Sequence, residues 1–197
     1  MLWYASYNTA NNNTAESNTA ENPPPAGVGI LVGGSHNNIK DNEVSNNDMG
    51  IEVIGPSPYA PDMVSINNTI MSNNASSNNL FGIVLSYNAS ENIVIGNTAN
   101  GNNYHGILLH SSSNNTLTSN TANWNNDHGV HLDASSDNLI YNNYLNNTNN
   151  AGDDGDNSWN ITKTAGTNIV GGPYLGGNYW SDYTGEDSDG DGLGDSL

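Results

Sequence analysis

Five segments of this chain share one short pattern: glycine, an aliphatic residue, any residue, then a second aliphatic. They are Gly29-Ile30-Leu31-Val32, Gly50-Ile51-Glu52-Val53, Gly82-Ile83-Val84-Leu85, Gly106-Ile107-Leu108-Leu109 and Gly129-Val130-His131-Leu132. The last three recur at roughly 23 residues, a period that signals a solenoid. A second pattern keeps the same period: Asn92-Ile93-Val94-Ile95, Asn115-Thr116-Leu117-Thr118 and Asn138-Leu139-Ile140-Tyr141. A third follows it, with Asn97-Thr98-Ala99, Asn120-Thr121-Ala122 and Asn143-Tyr144-Leu145. Each coil therefore offers three short strands separated by polar turns. The segments are too short for helices, and no helical periodicity is sustained. The pattern predicts an all-β chain: a right-handed parallel β-helix of about six or seven coils, three strands per coil.

Alternation puts Ile83, Leu85, Ile107, Leu109, Val130 and Leu132 on one face and Val84, Leu108 and His131 on the other. Stacking in register then sets Leu85 beside Leu109 beside Leu132. A thin continuous core of this kind reconciles a fold with only 34% hydrophobic residues. Asparagine supplies roughly a fifth of the chain, far above ordinary usage. Such richness suits either a disordered tract or a laddered solenoid, and the ordered apolar positions favour the solenoid. Asn92, Asn115 and Asn138 are expected to stack as one ladder, and Asn97, Asn120 and Asn143 as another. Asparagine also tolerates the left-handed conformations that tight corners need.

Irregularities mark the rest. About 32 residues separate Gly50 from Gly82, and the excess contains Gly55-Pro56-Ser57-Pro58-Tyr59-Ala60-Pro61, which reads as a loop leaving the stack. Residues 1–26 are expected to hold degenerate or partial coils, with Asn8-Thr9-Ala10 and Asn18-Thr19-Ala20 as pieces and Pro23-Pro24-Pro25 as a break. Residues 27–183 are the β-helix with its ending, and residues 184–197 an acidic tail or linker. No signal peptide or transmembrane run is evident, and the segment reads as part of a longer chain.

At this level the repeats resemble those of the NosD-type parallel β-helix family. The tail Asn160-Ile161-Thr162-Lys163, with Thr167-Asn168-Ile169-Val170-Gly171-Gly172-Pro173-Tyr174-Leu175-Gly176-Gly177-Asn178-Tyr179-Trp180-Ser181-Asp182-Tyr183, is similar to the ending of such domains in archaeal surface and secreted proteins. The resemblance covers residues 27 to 195. It implies an extracellular or cell-surface setting, and the NosD name implies a periplasmic role in copper delivery.

Charge narrows the partners. Twenty acids against two lysines and no arginine give a net charge of -18. Nucleic acid is excluded, because cations must neutralise its phosphates. Anionic membrane surfaces are excluded for the same reason. No cysteine is present, so disulfides play no part. The chain is expected to be a non-catalytic module binding a glycan or an envelope protein. Tyr104, Trp124, Tyr141 and Tyr144 are candidate outward aromatics for stacking on sugar rings.

Asp187-Ser188-Asp189-Gly190-Asp191-Gly192-Leu193-Gly194-Asp195 carries acids at loop positions one, three, five and nine and glycine at six. That spacing wraps oxygens around Ca²⁺, with Leu193 offering its carbonyl. The loop resembles those of thrombospondin type 3 repeats and dockerins, although the acid of position twelve is missing. Calcium is therefore expected at Asp187, Asp189, Asp191, Leu193 and Asp195. Asp153-Asp154-Gly155-Asp156 is a second acidic patch, read as a solvated turn or a further calcium site. Five histidines are present: His36, His105, His110, His128 and His131. His105 and His128 should stack about 5 Å apart, and His110 should align with Asp133. Stacked imidazoles can take Cu or Zn. Asp127, Asp133 and Asp137, which fall within one coil, are the candidates for a rival carbohydrate-active enzyme.

Overall fold

The computed structural model describes residues 1–19, 27–58 and 60–194. Pro23-Pro24-Pro25, Ala20, Tyr59 and Asp195 lie outside them. Every strand of three to six residues pairs in parallel with its counterpart one coil away, and no helix occurs among the described residues. The chain is a right-handed parallel β-helix, the hand that parallel crossovers adopt because strand twist feeds them that way. The first sheet has seven strands: Leu2–Trp3, Val28–Gly33, Met49–Ile54, Phe81–Ser86, Ile107–His110, His128–Asp133 and Asn149–Asp153. The second has six, from Thr9–Asn11 to Leu139–Tyr141. The third is made of Thr14–Glu16, Glu43–Ser45, Thr121–Asn123, Tyr144–Asn146 and Tyr179–Trp180, bridged through Asn74 and Thr98.

Residues 2–16, expected as degenerate pieces, place a strand on each of the three faces and pair with the coil that follows. Register in the centre is as the repeat implied: Leu109 pairs Leu85 on one side and Leu132 on the other. All three are fully buried. The second sheet adds Ile39, Ile70, Val94, Leu117 and Ile140, and the third adds Val44, Ala75, Ala99, Ala122 and Leu145. Alanine dominates the third face, which keeps the tube narrow. Trp159 and Trp180, 5.5 Å apart, pack partly buried against the core towards the C-terminal end.

The corners are held by asparagine. Three ladders run the length of the solenoid, one more than the repeats had suggested. The first passes from Asn8 through Asn37, Asn68, Asn92, Asn115 and Asn138 to Asn157. The second joins Asn13, Asn42, Asn73, Asn97, Asn120, Asn143 and Asn178. The third joins Asn18, Asn47, Asn78, Asn102, Asn125 and Asn147. At each rung one amide donates to the Oδ1 of the next coil, and the backbone N–H of the same residue donates to that oxygen too. Buried backbone groups at a corner cannot reach water, so the side chain must satisfy them.

The ladder residues themselves do not take the left-handed conformation. At most rungs the preceding residue does: Tyr7, Asn12, His36, Asp41, Asn67, Ser72, Glu91, Asn114, Ser119 and Trp124 all have φ between 53° and 61°, whereas Asn146, Asp156 and Gly177, before the last rung of each ladder, do not have positive φ. The corner thus divides the work: one residue turns the chain, and the next satisfies its hydrogen bonds.

Two further features shape the first sheet. In Met49–Ile54 and His128–Asp133 the second and third residues are both buried, so strict alternation breaks there. The glycine of the repeat fills the first of these two inward positions. A Cβ on Gly82 would lie 2.6 Å from the Gly106 carbonyl, 2.7 Å from that of Ala75 and 2.8 Å from Nδ2 of Asn102. Close approach of the next coil, not backbone freedom, explains these glycines. The insertion after Gly55 does not simply leave the stack. Ser57 and Ala60 form an antiparallel bridge, and Ala60 and Met63 are buried, with the Met63 sulfur packed over Gly33.

Candidate metal centre

The break in alternation decides what the outer face of the first sheet displays. With Gly129 and Val130 both inward, His128 and His131 both emerge outward on one strand. His105 stands one coil earlier, before the equivalent glycine. The rings of His105 and His128 are 5.3 Å apart, as expected from the strand spacing. His131 joins them, 4.6 Å from His105 and 4.8 Å from His128. One ring nitrogen from each lies within 4.8 Å of the others. Nitrogens bound to one metal at ~2.0 Å sit about 3.3 Å apart, so the rings need to close by roughly 1.5 Å at most.

The chemistry of the donors fits an ion. Burial, and then the neighbouring His131, push the His105 imidazole down to about 4. Burial likewise lowers His128. Both rings are therefore neutral at pH 7 and keep the lone pair that a metal requires. Nδ1 of His131 is buried without a hydrogen-bond partner. Nδ1 of His128 lies 2.9 Å from Asp127 Oδ1, but off the line a hydrogen bond needs, so it too has no aligned partner. Buried polar atoms are rarely left so. Asp127 also approaches His105, at 3.8 Å, as a carboxylate that orients ligating imidazoles does. The next coil makes room: Gly152 is the register partner of His131, and a Cβ there would collide with His131 Nδ1 and lie 2.9 Å from His128 Nε2.

His131 was missed from sequence as a partner of the other two, because simple alternation puts His128 on the inner face. The detectable signal was the inward Gly-Val pair before it. His110 aligns with Asp133 as expected, with Nδ1 2.7 Å from Oδ2. His36 lies apart from the cluster, stacked on Tyr7 at 4.6 Å.

Asp127 and Asp133 do not come together as a catalytic pair. Asp127 belongs to the histidine cluster, and Asp133 is tied to His110 at the far end of the strand. Six extended residues separate the two by about 20 Å, whereas glycosidase carboxyls need about 5–9.5 Å. Asp137 takes the positive-φ position before Asn138. The second acidic patch is committed to the backbone and to neighbouring side chains. Asp153 accepts from Gly155, Asn157 and Trp159, and Asp154 accepts from Ala134.

At the C-terminal loop Asp187, Asp189 and Asp191 do converge, with one oxygen from each within 4.8 Å of the others. Asp187 accepts from the N–H groups of Gly190, Asp191 and Gly192. Lys163 already places its ammonium on Asp191, and it approaches Asp189 at 3.9 Å. The side chain of Leu193 packs near Gly176.

Comparison with known proteins now bears on this geometry. The family model of NosD, described as a periplasmic copper-binding protein, matches residues 2–185. The chain belongs to the NosD family. Among solved structures, the periplasmic alginate epimerase AlgG superposes with a TM-score of 0.62 at 26% identity. One of its point mutants gives 0.63 at the same identity. Each match covers 73% of this chain and 31% of AlgG, so the chain spans about a third of that protein's length. No curated protein matches. No helix among the described residues is long and apolar enough to cross a membrane.

Proposed function

We propose that this NosD-family chain is a copper-binding module of the cell envelope that holds the ion with His105, His128 and His131. The observation that carries the reading is the convergence of three imidazoles, two of them with buried Nδ1 atoms that make no aligned hydrogen bond. Imidazole donors suit copper, and Cu²⁺ heads the divalent affinity order. The family description and the periplasmic setting of AlgG support an envelope location. The β-helix serves as a rigid rack that fixes ligands from adjacent coils, and its exposed faces remain for a glycan or an envelope protein. Titration calorimetry with Cu²⁺ should give one site in the wild type. His105→Ala, His128→Ala and His131→Ala should each weaken it by about a hundredfold. Absence of copper binding, or wild-type affinity in His131→Ala, rejects the reading.

Calcium at Asp187, Asp189 and Asp191 is a separate proposal, supported by their convergence and by their oxygen-only donors. The ion has to displace Lys163, so affinity in the weak extracellular range of about 0.1–1 mM is expected. Lys163→Met should therefore tighten calcium binding. If neither protein binds calcium, the loop is a lysine-clasped acidic turn.

A further inference from the structure

We propose that Asn67, Asn88 and Asn114 are sites of N-linked glycosylation that line one edge of the solenoid with sugar. The acceptor motif Asn-x-Ser/Thr occurs seven times in the chain. In a chain so rich in these residues the motif alone decides little, but the fold separates the seven. Asn67, Asn88 and Asn114 fall in three consecutive coils, at the corner that joins the first sheet to the second. All three are exposed, and none of their Nδ2 atoms donates a hydrogen bond among the described residues. Asn88 uses only Oδ1, which accepts from Ser90 Oγ, the hydroxyl of its own motif, at 3.3 Å. Thr69 and Thr116, the hydroxyl residues of the other two, begin second-sheet strands and stand outward beside the buried Ile70 and Leu117. Asn74 is the contrast. Its Nδ2 is clasped by both carboxylate oxygens of Glu43, at 2.8 and 3.1 Å. Asn146 is half-buried on a strand, and Asn12 and Asn160 stand apart, in the first coil and in the ending.

The surface of this edge supplies an independent observation. Val64, Tyr87 and Ile93 are 56%, 44% and 43% exposed. Val64 lies three residues before Asn67, and Tyr87 adjoins Asn88. Ile93 is the register partner of Thr69 on one side and of Thr116 on the other. Large apolar side chains gathered on one corner of so polar a chain point to something that covers them. A sugar fixed to a neighbouring amide can lay its C–H face on them and turn its hydroxyls to water. Such a group is bulky and solubilising at a surface.

The co-reactant is a lipid-linked oligosaccharide, which an exported chain meets at the membrane it crosses. Nδ2 bonds to the anomeric carbon of the sugar. The bond from that carbon to the lipid phosphate oxygen breaks, the lipid phosphate leaves with the electron pair, and the amide gives up one proton. No ladder is disturbed, because Asn68, Asn92 and Asn115 keep their amides buried at the same corner. His105 and Ser111 flank the strand Ile107–His110, about 20 Å apart at the extended rise. The sugars therefore leave the histidine cluster uncovered. The inference rests on the envelope setting of the proposed function and is independent of its metal.

Peptide mass spectrometry of the full chain from its native cells is the test. Peptides holding Asn67, Asn88 and Asn114 should carry hexose or N-acetylhexosamine, and the Asn74 peptide should be unmodified. Thr69→Val, Ser90→Ala and Thr116→Val keep every asparagine, and each should remove the sugar at its own site alone. Asn67→Gln, Asn88→Gln and Asn114→Gln should do the same with copper affinity unchanged. Enzymatic release of the sugars should raise the binding of a hydrophobic dye as the apolar edge is bared. The proposal is overturned if the three asparagines carry no sugar, if sugar survives the loss of the motif hydroxyl, if Asn74 is modified as fully, or if dye binding does not change on release. Copper titration of the same preparation keeps the two readings apart: sugar without copper binding rejects the metal site alone, and copper binding without sugar rejects this proposal alone.

Discussion

Replacing Asn97 by alanine should destabilise the fold by about 3–5 kcal/mol, a large share of the ~5–15 kcal/mol that holds a domain together. Asn97 is 1% exposed and occupies the middle of the second ladder. Its Nδ2 donates to Asn120 Oδ1 at 3.0 Å and to the Ile70 carbonyl at 2.8 Å. Its Oδ1 accepts both the N–H and the side-chain amide of Asn73, each at 2.9 Å. Alanine removes all of these and strands donors and acceptors away from water, at about 1–3 kcal/mol for each group left unmade. Asn103→Ala is the control. That side chain is exposed, and its loss should stay within about 0.5 kcal/mol. Urea unfolding of the two variants separates them. Equal losses would mean that the ladders are ornament and that the apolar stack alone carries the fold.

The same rung shows what a sequence reveals of such a fold. The first two ladders were readable because Asn92 and Asn97 each precede a residue with an aliphatic or alanine neighbour at a fixed distance, so an apolar signal marks the position. Asn78, Asn102 and Asn125 offer no such mark. Each sits in a polar run, as in Asn102-Asn103 and Asn125-Asn126, and only the coil-to-coil pairing distinguishes ladder from surface. The left-handed corner residues were hidden for a related reason. Asparagine was expected to supply both conformation and hydrogen bonds, whereas Tyr7, Glu91 and Trp124 show that the turning position accepts almost any side chain. The first coil looked degenerate because its apolar signal is weak: Ala10 stands where the next two coils carry Ile39 and Ile70.

The site was half legible. Equivalent positions in successive coils predict columns, so His105 over His128 and His110 beside Asp133 followed from the period alone. A cluster needs neighbouring columns as well. Which columns are neighbours depends on the local break in alternation, a backbone feature that the residue pattern signals only faintly. The acidic loop shows the opposite limit. Its spacing was legible, but Lys163, more than twenty residues away in sequence, is brought to the carboxylates by the folding of the ending.

The decisive variant for the histidine cluster leaves every ligand in place. Gly152→Ala should reduce copper affinity by about a hundredfold or more while removing no donor atom. The added methyl group would occupy the space beside His131 Nδ1 and crowd His128 Nε2 at 2.9 Å and Cδ2 at 3.0 Å. Imidazole ends are mobile, so the rings swing aside at small cost to stability, and three nitrogens that must close to about 3.3 Å around an ion are held apart. Gly177→Ala, where a methyl group meets nothing within 4 Å, should bind copper as the wild type does. The histidine-to-alanine variants alone cannot distinguish a built cavity from a patch of sticky imidazoles, since either loses affinity as ligands are removed. A patch with no fixed geometry would tolerate the methyl group by binding the ion elsewhere on the same rings. Wild-type affinity in Gly152→Ala would therefore reduce the cluster to adventitious surface chelation, even if every histidine substitution weakened binding.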